Sequence, residues 1–107
     1  MEDTQSTHTR TQGRQERDLE TLCCNIARGM GFASWKNEPK GNKGIPDRSF
    51  LSPAGTFFFV EFKKDAKQRL RDGQEVWRDR WPHLFHRIDN SEDFLRLLHQ
   101  VLEGGVV

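Results

Sequence analysis

The chain has 107 residues, 34% of them apolar and 31% charged, with a formal net charge of +1. That is enough for one domain around a single modest core and too little for a second. No stretch approaches the roughly 20 apolar residues of a membrane span and the N-terminus has no apolar signal-peptide core, so the cytoplasm is the expected location.

Met1 to Gln15 carries no apolar residue after Met1 and reads as a flexible tail, with the folded domain spanning 16–107. From about Glu16 onward, Leu19, Leu22, Cys23, Ile26 and Met30 fall on one helical face, and Gly29 and Gly31 close that helix. Glu20 lies on the flank of this face, where an acid can reach a site at the edge of the core. Phe32 to Trp35 predicts a short strand or an extended link. The polar loop Lys36 to Lys43 follows.

Arg48 to Leu51 and Thr56 to Lys63 predict two strands joined by a turn over Ser52-Pro53-Ala54-Gly55. The unbroken apolar run Phe57 to Val60 marks the second as a central strand, buried on both faces. With the turn centred between Pro53 and Ala54, Asp47 is expected opposite Val60 and diagonal to Glu61. The basic stretch Lys64 to Arg71 leads into a helix beginning near Asp72-Gly73, with Gln74, Trp77 and Trp81 on one side and Pro82 as its stop. His83 to Ile88 predicts another strand. Asn90 or Ser91 caps a last helix whose apolar face is Phe94, Leu95, Leu97, Leu98, Val101 and Leu102, ended by Gly104 and Gly105. The result is an α/β domain with a small mixed sheet flanked by helices.

Cys23 and Cys24 are adjacent with no second pair to complete a zinc site, and they are expected to be reduced thiols in or near the core. His83 and His86 lack a partner acid or thiolate at ligand spacing. Charge is unevenly spread: residues 36–80 carry eleven basic and seven acidic groups, an excess of four. Lys36, Lys40, Lys43, Arg48, Lys64, Lys67, Arg69 and Arg71 are the candidate phosphate contacts in that segment.

The chemistry concentrates in Gly44-Ile45-Pro46-Asp47 and Val60-Glu61-Phe62-Lys63. Side chains alternate along a strand, so Glu61 and Lys63 point the same way while Val60 and Phe62 point the other. Diagonal cross-strand neighbours lie roughly 7 to 8 Å apart, which lets the Asp47 and Glu61 carboxylates share one ion. Such a pair suits Mg²⁺ or Mn²⁺, with the Phe62 carbonyl as a third oxygen and Lys63 placed to orient a water or stabilise charge on phosphorus. A plain Glu-x-Lys salt bridge on an exposed strand is the ordinary alternative. It fits less well where the pair follows a buried apolar run, because unpaired buried charge is costly.

The ordered set Gly44-Ile45-Pro46-Asp47-Arg48, Val60-Glu61-Phe62-Lys63 and Gln74, preceded by a helix bearing Glu20, resembles the VRR-NUC domain. This is the virus-type replication-repair nuclease branch of the PD-(D/E)xK superfamily, and the resemblance covers about residues 16–103. It implies a restriction-endonuclease-like fold, with Asp47 and Glu61 as metal ligands and Lys63 as the catalytic lysine. It also implies that Glu20 is the acid of the first helix, a further metal ligand, and Gln74 the glutamine opening the helix after the core strand. Glu16 is near enough to compete with Glu20. The link from Lys63 to Gln74 is more basic than the family pattern and lacks its proline. Small stand-alone members from phages and bacteria resemble Holliday-junction resolvases and act as homodimers, so the resemblance implies branched DNA as substrate, within a bacterial or phage-infected cell. The alternatives are a non-catalytic DNA-binding module of the same fold and a nuclease acting on linear or flap ends.

Overall fold

A computed structural model of the protein describes residues 4–41 and 43–104. Met1–Asp3 of the expected tail and Gly105 lie outside the described residues. Among the described residues, three helices and four strands follow in the order α1 (Thr4–Gly29), β1 (Ala33–Lys36), β2 (Arg48–Leu51), β3 (Phe57–Phe62), α2 (Asp72–Arg80), β4 (Phe85–Ile88) and α3 (Ser91–Leu102). The strands form one sheet in the order β1-β2-β3-β4, antiparallel across the first three and parallel between β3 and β4. This is the mixed sheet with flanking helices that the sequence predicts.

The helical backbone of α1 extends N-terminally of Glu16 to Thr4, through residues with no apolar side chain to give the core. Its C-terminus is a Schellman motif, in which Phe32 N–H donates to Ala27 O at 2.9 Å and Gly31 N–H to Arg28 O at 3.0 Å. Gly31 has φ +89°, the left-handed turn that this closure requires. The buried line of α1 runs through Cys23 and Ala27, both fully buried free of disulfide in the case of the cysteine. Leu22, expected on that face, is instead 47% exposed, because it lies just over a quarter of a turn from Cys23 on the helix flank.

The β2–β3 hairpin differs by one residue from the expected register. Arg48 pairs with Val60 and Leu51 with Phe57, which sets Asp47 level with Glu61 rather than with Val60. The loop holds three residues, not two: Ser52 N–H bonds Thr56 O at 2.8 Å, Gly55 N–H bonds Ser52 O at 2.9 Å, and Gly55 has φ +95°. A turn followed by a left-handed glycine is the usual three-residue hairpin, and the extra residue shifts the pairing.

Alternation then sorts β3 between two faces. Phe58, Val60 and Phe62, with Phe50 of β2 and Ile88 of β4, pack against Cys23 and Ala27 of α1 and Phe94 and Leu98 of α3. Phe50 stacks on Phe58 and also meets Phe94, each at 5.3 Å between ring centres. Each fully buried phenylalanine contributes on the order of 2–3 kcal/mol of apolar burial. The opposite face, with Phe57, Phe59 and Glu61, lies on the α2 side, and Phe57 and Phe59 are only half-buried. Trp77 meets Phe59 edge-on at 5.4 Å and Trp81 at 4.8 Å.

The helix α2 ends at Arg80, one residue before Trp81, because the residue preceding a proline is driven out of the helical region and Trp81 has φ −129° and ψ 64°. His83 and Leu84, expected in the last strand, form the turn into β4. Asn90 caps α3 by accepting from Asp93 N–H at 2.8 Å. Leu95 and Leu102 of α3 are 38% and 45% exposed, so its buried face is the narrower set Phe94, Leu97, Leu98 and Val101. No described helix is long and apolar enough to cross a membrane.

Candidate active site

The site forms where the register brings the end of the Gly44–Asp47 loop level with Glu61 on the α2 side of the sheet. Asn37 holds this loop from β1's end: its N–H donates to Asp47 O at 3.0 Å, and its Nδ2 to Pro46 O at 2.9 Å. The Asn37 side-chain oxygen accepts from Ser49 Oγ at 2.9 Å. The Asp47 carboxylate turns onto β3 and accepts the Phe62 N–H at 2.8 Å through Oδ2. Phe62 thus meets the site through its N–H as well as lying beside Glu61 in sequence.

Behind Asp47, Glu61, Lys63 and Gln74 form a closed polar triangle. Gln74 donates through Nε2 to Glu61 Oε2 at 2.7 Å and accepts from Lys63 Nζ at 2.9 Å through Oε1. Lys63 Nζ is 3.5 Å from Glu61 Oε2. All three side chains are buried, Glu61 to 4% and Lys63 to 2% exposure. Gln74 sits at the third position of α2, and its Oε1 also accepts the Arg71 N–H at 2.9 Å. A glutamine there is favoured because it reaches back to satisfy a free N–H at the helix start. The same amide orientation therefore closes the helix and fixes both charged groups.

One further contact locks the loop to the helix. A Cβ added at Gly44 would come within 2.2 Å of the Gly73 carbonyl carbon, so the two backbones touch where Gly44 has φ +82°. Between them opens a cleft of about 250 Å³, lined by Asp47, Gln74, Lys43 and Arg71 among others. One carboxylate, one carboxamide and two cations thus share one opening.

Burial pushes the Glu61 carboxyl up to about 7, the neighbouring Asp47 adds to the rise, and Lys63 offsets part of it. Asp47 is also raised, first by burial; the Phe62 N–H and Lys63 oppose this, while Glu20 and Glu16 both add to it. Glu61 Oε1 is buried without a hydrogen-bond partner. A buried carboxylate oxygen left unpaired, in a carboxyl that resists ionisation, fits a site completed by a cation. Its hard oxygen donors suit Mg²⁺ or Mn²⁺, which take one or two carboxylates and fill the remaining positions with water or phosphate.

Glu20 stands at the margin, its Oε2 2.7 Å from Arg48 Nε. The structure thus turns Arg48, a candidate phosphate contact, onto the helix acid. Among the described residues, no three acidic, imidazole or thiolate groups converge as a preformed metal cage. Glu16 and Glu20 reach the site through their field on Asp47. Lys36, Lys40, Lys43, Lys67, Arg69 and Arg71 are exposed and Lys64 half-buried. Of these, Lys43 and Arg71 border the cleft. Asn37, which pins Pro46 and Asp47, has no sequence signature, because an asparagine at a strand end is ordinary there.

No family model and no curated protein matches the chain. A solved structure titled "VRR_NUC domain" superposes with a TM-score of 0.73 at 20% identity, over 79% of this chain and 95% of that one. The chain has the fold of a VRR-NUC domain, the restriction-endonuclease-like α/β architecture expected from its motifs.

Proposed function

We propose that the protein is a structure-selective DNA endonuclease that hydrolyses phosphodiester bonds in branched DNA, four-way junctions foremost, using Mg²⁺ or Mn²⁺. The observation that carries this reading is the unpartnered, buried Glu61 Oε1, in a carboxyl held near neutrality beside Asp47 and Lys63. Asp47 and Glu61 would hold the ion, with the Phe62 carbonyl as a further oxygen. When bound, the ion supplies positive charge to stabilise the reacting phosphate. Lys63 brings its ammonium to the same point, where it orients the attacking water and stabilises negative charge developing on phosphorus. Gln74 keeps Lys63 and Glu61 in fixed relation through its two hydrogen bonds.

Glu20 completes the acidic set from α1, while its pairing with Arg48 holds β2 against that helix. Lys43 and Arg71 take phosphates at the cleft mouth, and Lys36, Lys40, Lys64, Lys67 and Arg69 extend the contact outward. Residues 16–107 make up the nuclease unit, and 1–15 its N-terminal tail. A four-way junction has two-fold symmetry and paired cuts need two active sites, so the working form is a homodimer. The test is cleavage of a labelled four-way junction, a linear duplex and a flap with Mg²⁺. Preferential cutting of the junction is expected, and equal or better cutting of linear or flap ends would move the substrate to those ends.

A further inference from the structure

Arg87, on β4, makes contacts that the chemistry above does not use. Its register partner on β3 is Glu61, which puts the guanidinium on the same sheet face as the site. One terminal nitrogen donates to Asp89 Oδ2 at 2.6 Å. The other donates to two main-chain carbonyls of the segment between β3 and α2, Asp65 O at 2.7 Å and Gln68 O at 2.5 Å. That segment is also braced internally. Asp65 Oδ1 accepts from the N–H groups of Lys67 and Gln68 at 2.9 and 3.0 Å, and Gln68 Oε1 accepts from Lys64 N–H at 2.7 Å.

We propose that Arg87 is a positioning residue that presets the Lys64–Arg71 loop as a DNA-backbone contact. Lys64, Lys67, Arg69 and Arg71 then meet phosphate without ordering the loop on binding. This rests on the nuclease reading for the identity of the partner. Arg87 itself has its charge opposed by Asp89 and its donors turned onto carbonyls, so it acts on DNA only through the loop. A planar fork of fixed donors is needed to hold one carboxylate and two carbonyls at once, which a lysine ammonium cannot do. The loop meets the triangle only at its end, where Arg71 N–H donates to Gln74 Oε1, and the Gly44–Gly73 contact and Trp77 on Phe59 also hold Gln74 and its helix, so loosening the Asp65–Gln68 turn leaves the triangle in place.

The experiment compares wild type, Arg87→Lys and Gln68→Ala, the last loosening the loop without touching β4, with Arg87→Ala as a control for direct contact. Binding to a labelled four-way junction is titrated across a salt series without divalent metal, and cleavage is followed with Mg²⁺. Neutralised phosphates set the slope of log affinity against log salt, so losing two loop contacts lowers that slope by about two and weakens binding about tenfold. Arg87→Lys and Gln68→Ala are both expected to show this, with KM raised and kcat within about twofold of wild type. Several outcomes would overturn the proposal: wild-type affinity and slope in Arg87→Lys, an unchanged KM with a reduced kcat, or a slope loss in Arg87→Ala of about one that Arg87→Lys restores. The last would mark Arg87 as a direct phosphate contact. An absence of cleavage by any form counts against the nuclease reading alone, since the binding arm still reads the loop. An absence of DNA binding by wild type overturns both.

Discussion

Gln74 Nε2 lies 2.7 Å from Glu61 Oε2, and the same amide receives Lys63 Nζ on its oxygen at 2.9 Å. An amide is the one neutral side chain of this length that can donate to the acid and accept from the lysine at once. Gln74→Glu has no donor when ionised and sets a second carboxylate against Glu61. Its cleavage rate is expected to fall at least about 100-fold, with junction affinity near wild type. Gln74→Ala should lose a similar factor in kcat. Single-turnover rates on a labelled junction, beside binding measured without metal, check both.

The Gly44–Gly73 contact predicts an asymmetric pair of substitutions. A methyl at Gly44 meets Gly73 backbone atoms at 2.2–2.6 Å and must also adopt φ +82°, so Gly44→Ala should cost at least about 2 kcal/mol. A methyl at Gly73 meets Gly44 and Lys43 at 3.1–3.3 Å, a tight fit that small shifts relieve. Gly73→Ala should cost less than half as much. Urea unfolding curves with a common m-value measure the difference.

Glu61 makes the metal-free protein sensitive to pH. Its folded value of about 7 lies above the ordinary 4.5, so the folded state holds the proton more tightly. Its contribution is without penalty below pH 4.5, and stability is lost as pH rises through 4.5 to 7, by roughly 3 kcal/mol in full. Glu61→Gln removes that penalty and should raise Tm at pH 8 in the absence of metal while abolishing cleavage. Adding Mg²⁺ should raise the wild-type Tm and leave the Glu61→Gln Tm nearly unchanged. Calorimetric scans at pH 5 and pH 8 separate these effects.

His86 has the opposite sense. It stands edge-on to Phe58 at 5.8 Å with Nε2 buried and unpartnered, and burial holds it below 6.5. The unfolded chain therefore takes up its proton first, and stability is lost as pH falls through the window below 6.5. His86→Phe should flatten that acid limb in melts between pH 7.5 and 5 without moving the Glu61 limb.

The order of elements was legible in the sequence, because each strand and helix carries its own periodicity and each boundary its own glycine, proline or cap. What a single residue decides at a distance was not. Gly55 reads as a turn residue in either register, and only its left-handed φ adds the third loop residue that puts Asp47 level with Glu61. Leu22, Leu95 and Leu102 fit their helical faces by spacing, yet each sits on a flank that is left more than a third exposed. Within the candidate site, Asp47, Glu61 and Lys63 stood out by their residue types at strand spacing. Asn37 and Arg87 did not, since each acts through main-chain carbonyls far along the sequence, and such bonds select no recognisable motif.

In the proposed function Asp47 and Glu61 make a metal-dependent cutting site. Its most direct measurement is cleavage of a labelled four-way junction by wild type and by Asp47→Asn, each with Mg²⁺ and with EDTA, alongside junction binding. Wild type is expected to cut in Mg²⁺ alone, and Asp47→Asn to bind the junction without cutting it. Cutting by Asp47→Asn at the wild-type rate, or cutting by wild type that persists in EDTA, would contradict that function.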